Sequence, residues 1–227
     1  MLMKKGLFIS FEGIDSSGKK TQALLLKKSL EQKNYKVKLY HFPAYNTTFG
    51  KHVAAHLRGE YWKGKKIIPE IAGLLYAIDR YQFKDELKKR LNSGDIVLTE
   101  RFTQSAMAYH GAMFEGEERM KYARWLEAAE SRLPQPDIIF VLDMPVEASQ
   151  ILIQNRKGKG YLKGMSKDIY EQKVEFQKKV RETYLELAKR EKNWFVIKCA
   201  NKIGNKWNIR IPEEIRREVL KIISKSL

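Results

Sequence analysis

The chain has 227 residues, 43% of them hydrophobic, enough to bury one sizeable core, and reads as a single domain over 1–227. A lone cysteine, Cys199, excludes an internal disulfide, no apolar run is long enough to span a bilayer, and the start Met1-Leu2-Met3-Lys4-Lys5 is too short for a secretory leader, so a cytoplasmic, membrane-free protein is expected. The net charge of +17 admits a nucleic-acid surface or attraction of small anionic substrates; lysines spread beside acidic residues, as in Lys84-Asp85-Glu86-Leu87-Lys88-Lys89-Arg90, favour a solvated surface over a nucleic-acid groove.

The first predicted element is an apolar strand, Leu7-Phe8-Ile9-Ser10-Phe11. It runs into Gly13-Ile14-Asp15-Ser16-Ser17-Gly18-Lys19-Lys20, the pattern G-x-x-x-x-G-K, and a helical stretch over 21–33 follows. Strand, glycine turn and helix together aim consecutive N–H groups at one phosphate, and the helix N-terminus adds its dipole. Lys19 would reach the β- and γ-phosphates. The candidate phosphate-binding set is therefore Gly13, Ile14, Asp15, Ser16, Ser17, Gly18, Lys19, Lys20 and Thr21. The pattern breaks at its last place, where Lys20 replaces the expected hydroxyl and Thr21 comes one residue late.

Strands are predicted next at 36–42, 95–100, 137–143 and 194–198, with helices over 69–92, 117–131, 146–155, 167–191 and 213–225. Short apolar strands alternating with helices predict an α/β fold of the phosphate-loop, three-layer type, with a central parallel five-stranded sheet flanked by helices. Its site lies at the C-terminal ends of the strands. Arg156-Lys157-Gly158-Lys159-Gly160-Tyr161-Leu162-Lys163-Gly164 reads as a short basic lid, at about 156–166. Two acid–arginine pairs stand out, Asp79-Arg80 in a helix and Glu100-Arg101 at a strand end. Either alone reads as a structural ion pair. Beside a phosphate loop, both arginines are expected to converge on its cleft, where a guanidinium fork suits phosphate.

Four motifs, in order and spacing, resemble the thymidylate kinases, which pass the γ-phosphate of ATP to dTMP. They are Phe11-Glu12-Gly13-Ile14-Asp15-x-x-Gly18-Lys19-x-Thr21-Gln22; Phe42-Pro43 with Thr47 and Gly50; Leu75-Tyr76-Ala77-Ile78-Asp79-Arg80; and Glu100-Arg101-Phe102-x-x-Ser105-x-x-Ala108-Tyr109-His110-Gly111. Leu133-Pro134-x-Pro136-Asp137 and Leu142-Asp143 continue a match that runs from about residue 6 to 198. The resemblance implies ATP as co-substrate, Mg2+, dTMP as acceptor and a homodimer. It implies that Lys19 and the loop amides hold the ATP phosphates, and that Asp15 sits near the sugar 3′-hydroxyl or the metal. Glu100 stands where the family puts a metal-side aspartate. Phe42, Tyr45, Tyr76, Arg80, Arg101, Ser105, Tyr109 and His110 would bind the acceptor, with Tyr76 stacked on the base and Arg101 on the phosphate. Arg156 of the lid would supply catalytic charge, because Ser16 stands where one subgroup carries arginine.

The chain departs from the family pattern at Lys20, at Tyr45 for arginine, at His110 for glutamine and at Ile169 for arginine. These departures leave two alternatives to a dTMP kinase open: a monophosphate kinase preferring dUMP or UMP, and a weakly active or non-catalytic relative associated with nucleic acid.

Overall fold

The computed structural model describes residues 6–154, 160–164, 168–170 and 173–227. In chain order the elements are β1 (Phe8–Glu12), α1 (Lys19–Glu31), β2 (Val37–His41), α2 (Thr48–Leu57), α3 (Pro69–Tyr81), α4 (Lys84–Asn92), β3 (Ile96–Glu100), α5 (Thr103–Gly111) and α6 (Gly116–Ala129). There follow β4 (Ile138–Asp143), α7 (Val146–Gln154), a 3-10 turn at Gly160–Leu162, α8 (Val174–Ala188), β5 (Trp194–Lys198), β6 (Ala200–Ile203), β7 (Lys206–Ile209) and α9 (Pro212–Ile223).

The five-stranded sheet runs β2-β3-β1-β4-β5 with every pairing parallel, as the alternating pattern implied. The central strands β1 and β4 are buried throughout, while the edge strands β2 and β5 are only partly covered. That gradient is what a parallel sheet with helices on both faces requires. Register brings Phe11 beside both Glu100 and Phe140, so the C-terminal ends of β1, β3 and β4 finish together. The functional loops leave from that edge.

Five features depart from the sequence expectation. The stretch 69–92 is two helices, because Phe83 adopts φ −99°, ψ 0° and turns its ring onto Tyr40 and Phe42, at centroid distances of 5.9 and 5.4 Å. Burying that ring outweighs the helical periodicity. Helix α2 is capped by Thr47, whose Oγ1 accepts from Gly50 N at 3.0 Å; a Cβ on Gly50 would lie 1.8 Å from the Ala44 carbonyl. Helix α5 is buried on all sides and so lacks the apolar stripe that betrays a surface helix. The antiparallel hairpin β6–β7 turns through Gly204, at φ 57°, and Asn205, a two-residue signal present in the sequence. In addition, α8 begins at Val174, later than the expected 167.

Candidate active site

Leaving β1, the chain turns at Gly13 (φ 134°), where a Cβ would approach the Leu142 carbonyl to 2.7 Å, and again at Gly18 (φ 93°), which N-caps α1. Ser17 N donates to Ile14 O at 3.3 Å and closes the loop. The first turn of α1 holds no acidic residue, which leaves its positive end available to an anion. Lys19 is 4% exposed and folds back on the loop, donating from Nζ to Ile14 O at 2.6 Å and Gly13 O at 3.1 Å. Burial, and then the neighbouring Arg101 cation, pull its pKa down to about 7. Asp15, Ser16, Gly18, Lys20 and Thr21 line the adjoining cleft, where Lys20 and Thr21 are exposed, while Gly13, Ile14 and Ser17 form the loop's inner wall.

Directly after β3, Arg101 sits at φ 66°, a left-handed conformation uncommon outside glycine and often found at functional positions. Its Nη2 donates to Asp15 Oδ1 at 2.9 Å and to Tyr109 Oη at 3.2 Å. Its Nη1 donates to Gly13 O and Ser105 Oγ, each at 3.1 Å. Tyr109 completes the triangle by donating to Asp15 Oδ2 at 2.8 Å. Behind them lies fully buried Glu12, which accepts from Ser10 Oγ, Phe102 N, Ser105 Oγ and Tyr184 Oη at 2.5–3.2 Å. Burial raises the Glu12 pKa, against those hydrogen bonds and the Arg101 charge. Glu100 accepts from His41 Nδ1 at 2.8 Å; burial opposes its charge, yet His41, Lys19 and Arg101 together hold its pKa below the ordinary value.

The other half of the cleft is aromatic. Tyr45 stacks on Tyr161 at 4.2 Å, and Tyr76 meets His110 edge-on at 5.4 Å and His56 at 5.8 Å. Phe42, Tyr45, Tyr76, Arg101, Ser105, Tyr109 and His110 all line one cleft of about 660 Å³ with the phosphate-loop residues. Arg80 does not line it. Its guanidinium is 2% exposed and forms a two-pronged pair with Glu130, one prong at 2.6 Å, above the Phe102 ring. Its neighbour Asp79 is equally buried and accepts from Ala44 N at 3.0 Å, tying α3 to the loop after β2. In this structure the Arg80 side chain is engaged in an ion pair between α3 and the end of α6. Arg156 lies outside the described residues, as do 157–159 and 165–166 of the expected lid.

Residues that sequence reasoning did not single out include Glu12, His56, Tyr170 and Tyr184. Glu12 carried a signal, being an acid at the end of an apolar strand; the others come from elements remote in sequence. No group of three or more metal-type side chains is present among the described residues. A magnesium ion that travels with nucleotide phosphates needs only one or two protein carboxylates, and Asp15 and Glu100 both line the cleft. The donor set fits that mode of binding.

A phosphate cradle and an aromatic slot sharing one cleft above a parallel sheet define a nucleotide-binding kinase of the phosphate-loop class. Residues 11–207 match the thymidylate kinase family, and the chain belongs to that family. It is 34% identical over 219 residues to a thymidylate kinase of Plasmodium falciparum, covering 96% of this chain and 92% of that one. It is 32% identical over 227 residues to a probable thymidylate kinase of Thermococcus gammatolerans, covering 98% of each. The solved structure of thymidylate kinase from Candida albicans shares the fold, with a TM-score of 0.74 at 24% identity over 98% of this chain and 92% of that one.

Proposed function

We propose that this cleft transfers the γ-phosphate of ATP to dTMP, giving dTDP. The family membership sets the reaction, and the observation that carries the site is the convergence of Lys19, Asp15, Arg101 and Tyr76 on one cleft. Phosphoryl transfer asks the protein to align two oxygens and offset spread negative charge. Lys19 exchanges the Gly13 and Ile14 carbonyls for the donor phosphates, gaining a stronger, charge-assisted bond. Arg101 turns its fork from Asp15 to the acceptor phosphate, which frees the Asp15 carboxylate for the sugar hydroxyl. Tyr76 presents the base with a ring fixed by His56 and His110. Asp15 and Glu100 would hold a Mg2+ brought in with the nucleotide, which would offset charge on the ATP phosphates, and Lys20 adds a cation at the mouth. The family resemblance gives Arg156, which lies outside the described residues, the role of supplying catalytic charge to the transferring phosphoryl group.

The test is a coupled assay with ATP and a panel of monophosphates. dTMP turns over best, with dUMP modestly slower, since a methyl in an apolar slot is worth about 1–3 kcal/mol. Equal rates with CMP, AMP or GMP would refute the assignment. Both relatives compared above are named as thymidylate kinases.

The same reading extends to assembly and location. Ile71, Leu74 and Ile78 lie three and four residues apart on α3, each 43–48% exposed, beside half-exposed Trp125 of α6. Such a stripe suits an isologous helix-on-helix contact in a homodimer. Sedimentation of the protein checks this, and a monomer at micromolar concentration would refute it. No described helix is long and apolar enough to cross a membrane, and a lone, buried thiol suits the cytoplasm.

A further inference from the structure

The floor of the aromatic slot holds two buried histidines whose protons are assigned by their partners. Trp62 Nε1, which can only donate, lies 2.9 Å from His56 Nδ1. His56 Nδ1 is therefore the bare nitrogen, and its Nε2–H donates to Tyr170 Oη at 2.9 Å. With its oxygen already accepting, Tyr170 keeps a hydroxyl proton to give. His110 carries the opposite tautomer. Tyr122 Oη donates its single proton to the Pro69 carbonyl at 3.1 Å, so it can only accept from His110 Nδ1 at 3.1 Å.

His110 Nε2 is then a bare acceptor. It is buried, and it has no hydrogen-bond partner among the described residues. An orphaned acceptor is also less costly than an orphaned N–H, which argues for the same tautomer. His110 is 1% exposed and lines the cleft with Tyr76 and Tyr170. Burial keeps both rings neutral, pulling His56 down to about 4 and His110 well below its ordinary value.

We infer that His110 and Tyr170 read the pairing edge of the acceptor base: His110 Nε2 accepts the N3–H of thymine or uracil, and the Tyr170 hydroxyl donates to a carbonyl beside it. The inference rests on the pyrimidine-monophosphate reading of the cleft. At the same placement cytosine presents a bare N3, leaving two acceptors face to face and both unpaired. Specificity for the imide edge would then come from a tautomer set by Tyr122 and Pro69, outside the cleft itself.

Dissociation constants of dTMP and N3-methyl-dTMP, measured by calorimetry on the wild type and on His110→Leu, test it. N3-methylation weakens binding to the wild type by about tenfold or more. His110→Leu weakens dTMP by a similar factor and removes most of the methylation penalty. Tyr170→Phe weakens dTMP but leaves that penalty in place. Nitrogen-15 shifts of the His110 ring in the free protein report a protonated Nδ1 and a bare Nε2, a readout that survives if a variant fails to fold. A protonated Nε2, or N3-methyl-dTMP bound as tightly as dTMP, would overturn this inference alone. A wild type that binds ATP but no dTMP would overturn the acceptor reading and this inference with it.

Discussion

Asp79-Arg80 and Glu100-Arg101 look alike on paper, yet the fold gives them different work. Arg80 lies inside α3, where its side chain is drawn between layers and meets Glu130 with almost no water in reach. Arg101 follows the last residue of β3, at the sheet edge where the loops open, and its partner Asp15 remains 14% exposed. A pair in mid-helix is surrounded by packing on several sides. One at the end of a parallel strand faces the crevice in which ligands bind. The host element, more than the dipeptide, decides whether an arginine serves the fold or the substrate.

The largest effect expected from breaking this contrast is Arg80→Ala, which strands Glu130 as an unpaired buried carboxylate. It should cost about 3–5 kcal/mol of stability, read from urea denaturation, with a double Arg80→Met, Glu130→Leu change recovering much of it. A stable Arg80→Ala protein with a raised dTMP KM would reverse the two roles.

Arg101→Ala should do the opposite. It lowers kcat/KM for dTMP by about a hundredfold, or ~2.7 kcal/mol of transition-state stabilisation, while stability falls by less than for Arg80→Ala, since Asp15 and Tyr109 border the open cleft and buried Glu12 keeps its four hydrogen-bond donors. Steady-state kinetics beside a melting curve check both halves. Unchanged dTMP kinetics would make the Arg101 cluster structural too.

The cleft side should also respond to pH near neutrality, where a buried arginine does not. Lys19 loses its proton in the free protein above its pKa of about 7, whereas nucleotide phosphates favour the ammonium and raise that pKa. ATP binding above neutrality must therefore take up a proton, and affinity should fall by about tenfold per pH unit there, levelling off below. Calorimetry in buffers of different ionisation enthalpy counts the proton. Binding without uptake at pH 8 would refute it. The smallest effect is expected from Lys20→Thr. Because Asp15 and Glu100 stay in place, restoring the hydroxyl should lower the Mg2+ requirement only a few-fold in an activity titration, and a wild type that works in excess chelator would show that Lys20 replaces the metal.

Much of the frame was legible because it rests on local patterns. Five apolar strands with helices between them admit one kind of sheet, and the run from Gly13 to Lys19 can cradle phosphate only between β1 and α1. What sequence alone obscured depends on distant partners. Nothing near Arg80 announces Glu130, fifty residues away, and nothing near His110 announces Tyr170 across the slot. Helix α5 escaped notice because total burial erases amphipathic period, although its Ser105, Tyr109 and His110 were already marked by motif. Phe83 broke a helix that periodicity joined, since an aromatic contact with β2 and the loop behind it is invisible along the chain.

One packing detail bears on how firmly the phosphate loop is held. Gln22 of α1 donates to the Pro212 carbonyl at 2.9 Å, across 190 residues, and Arg216 of α9 donates to Ser29 at 3.1 Å. The helix that begins at the phosphate loop is thus braced by a segment far along the chain. Without that brace the first turn of α1 should loosen, so a protein cut before α9 should be a poorer ATP binder even with every loop residue in hand.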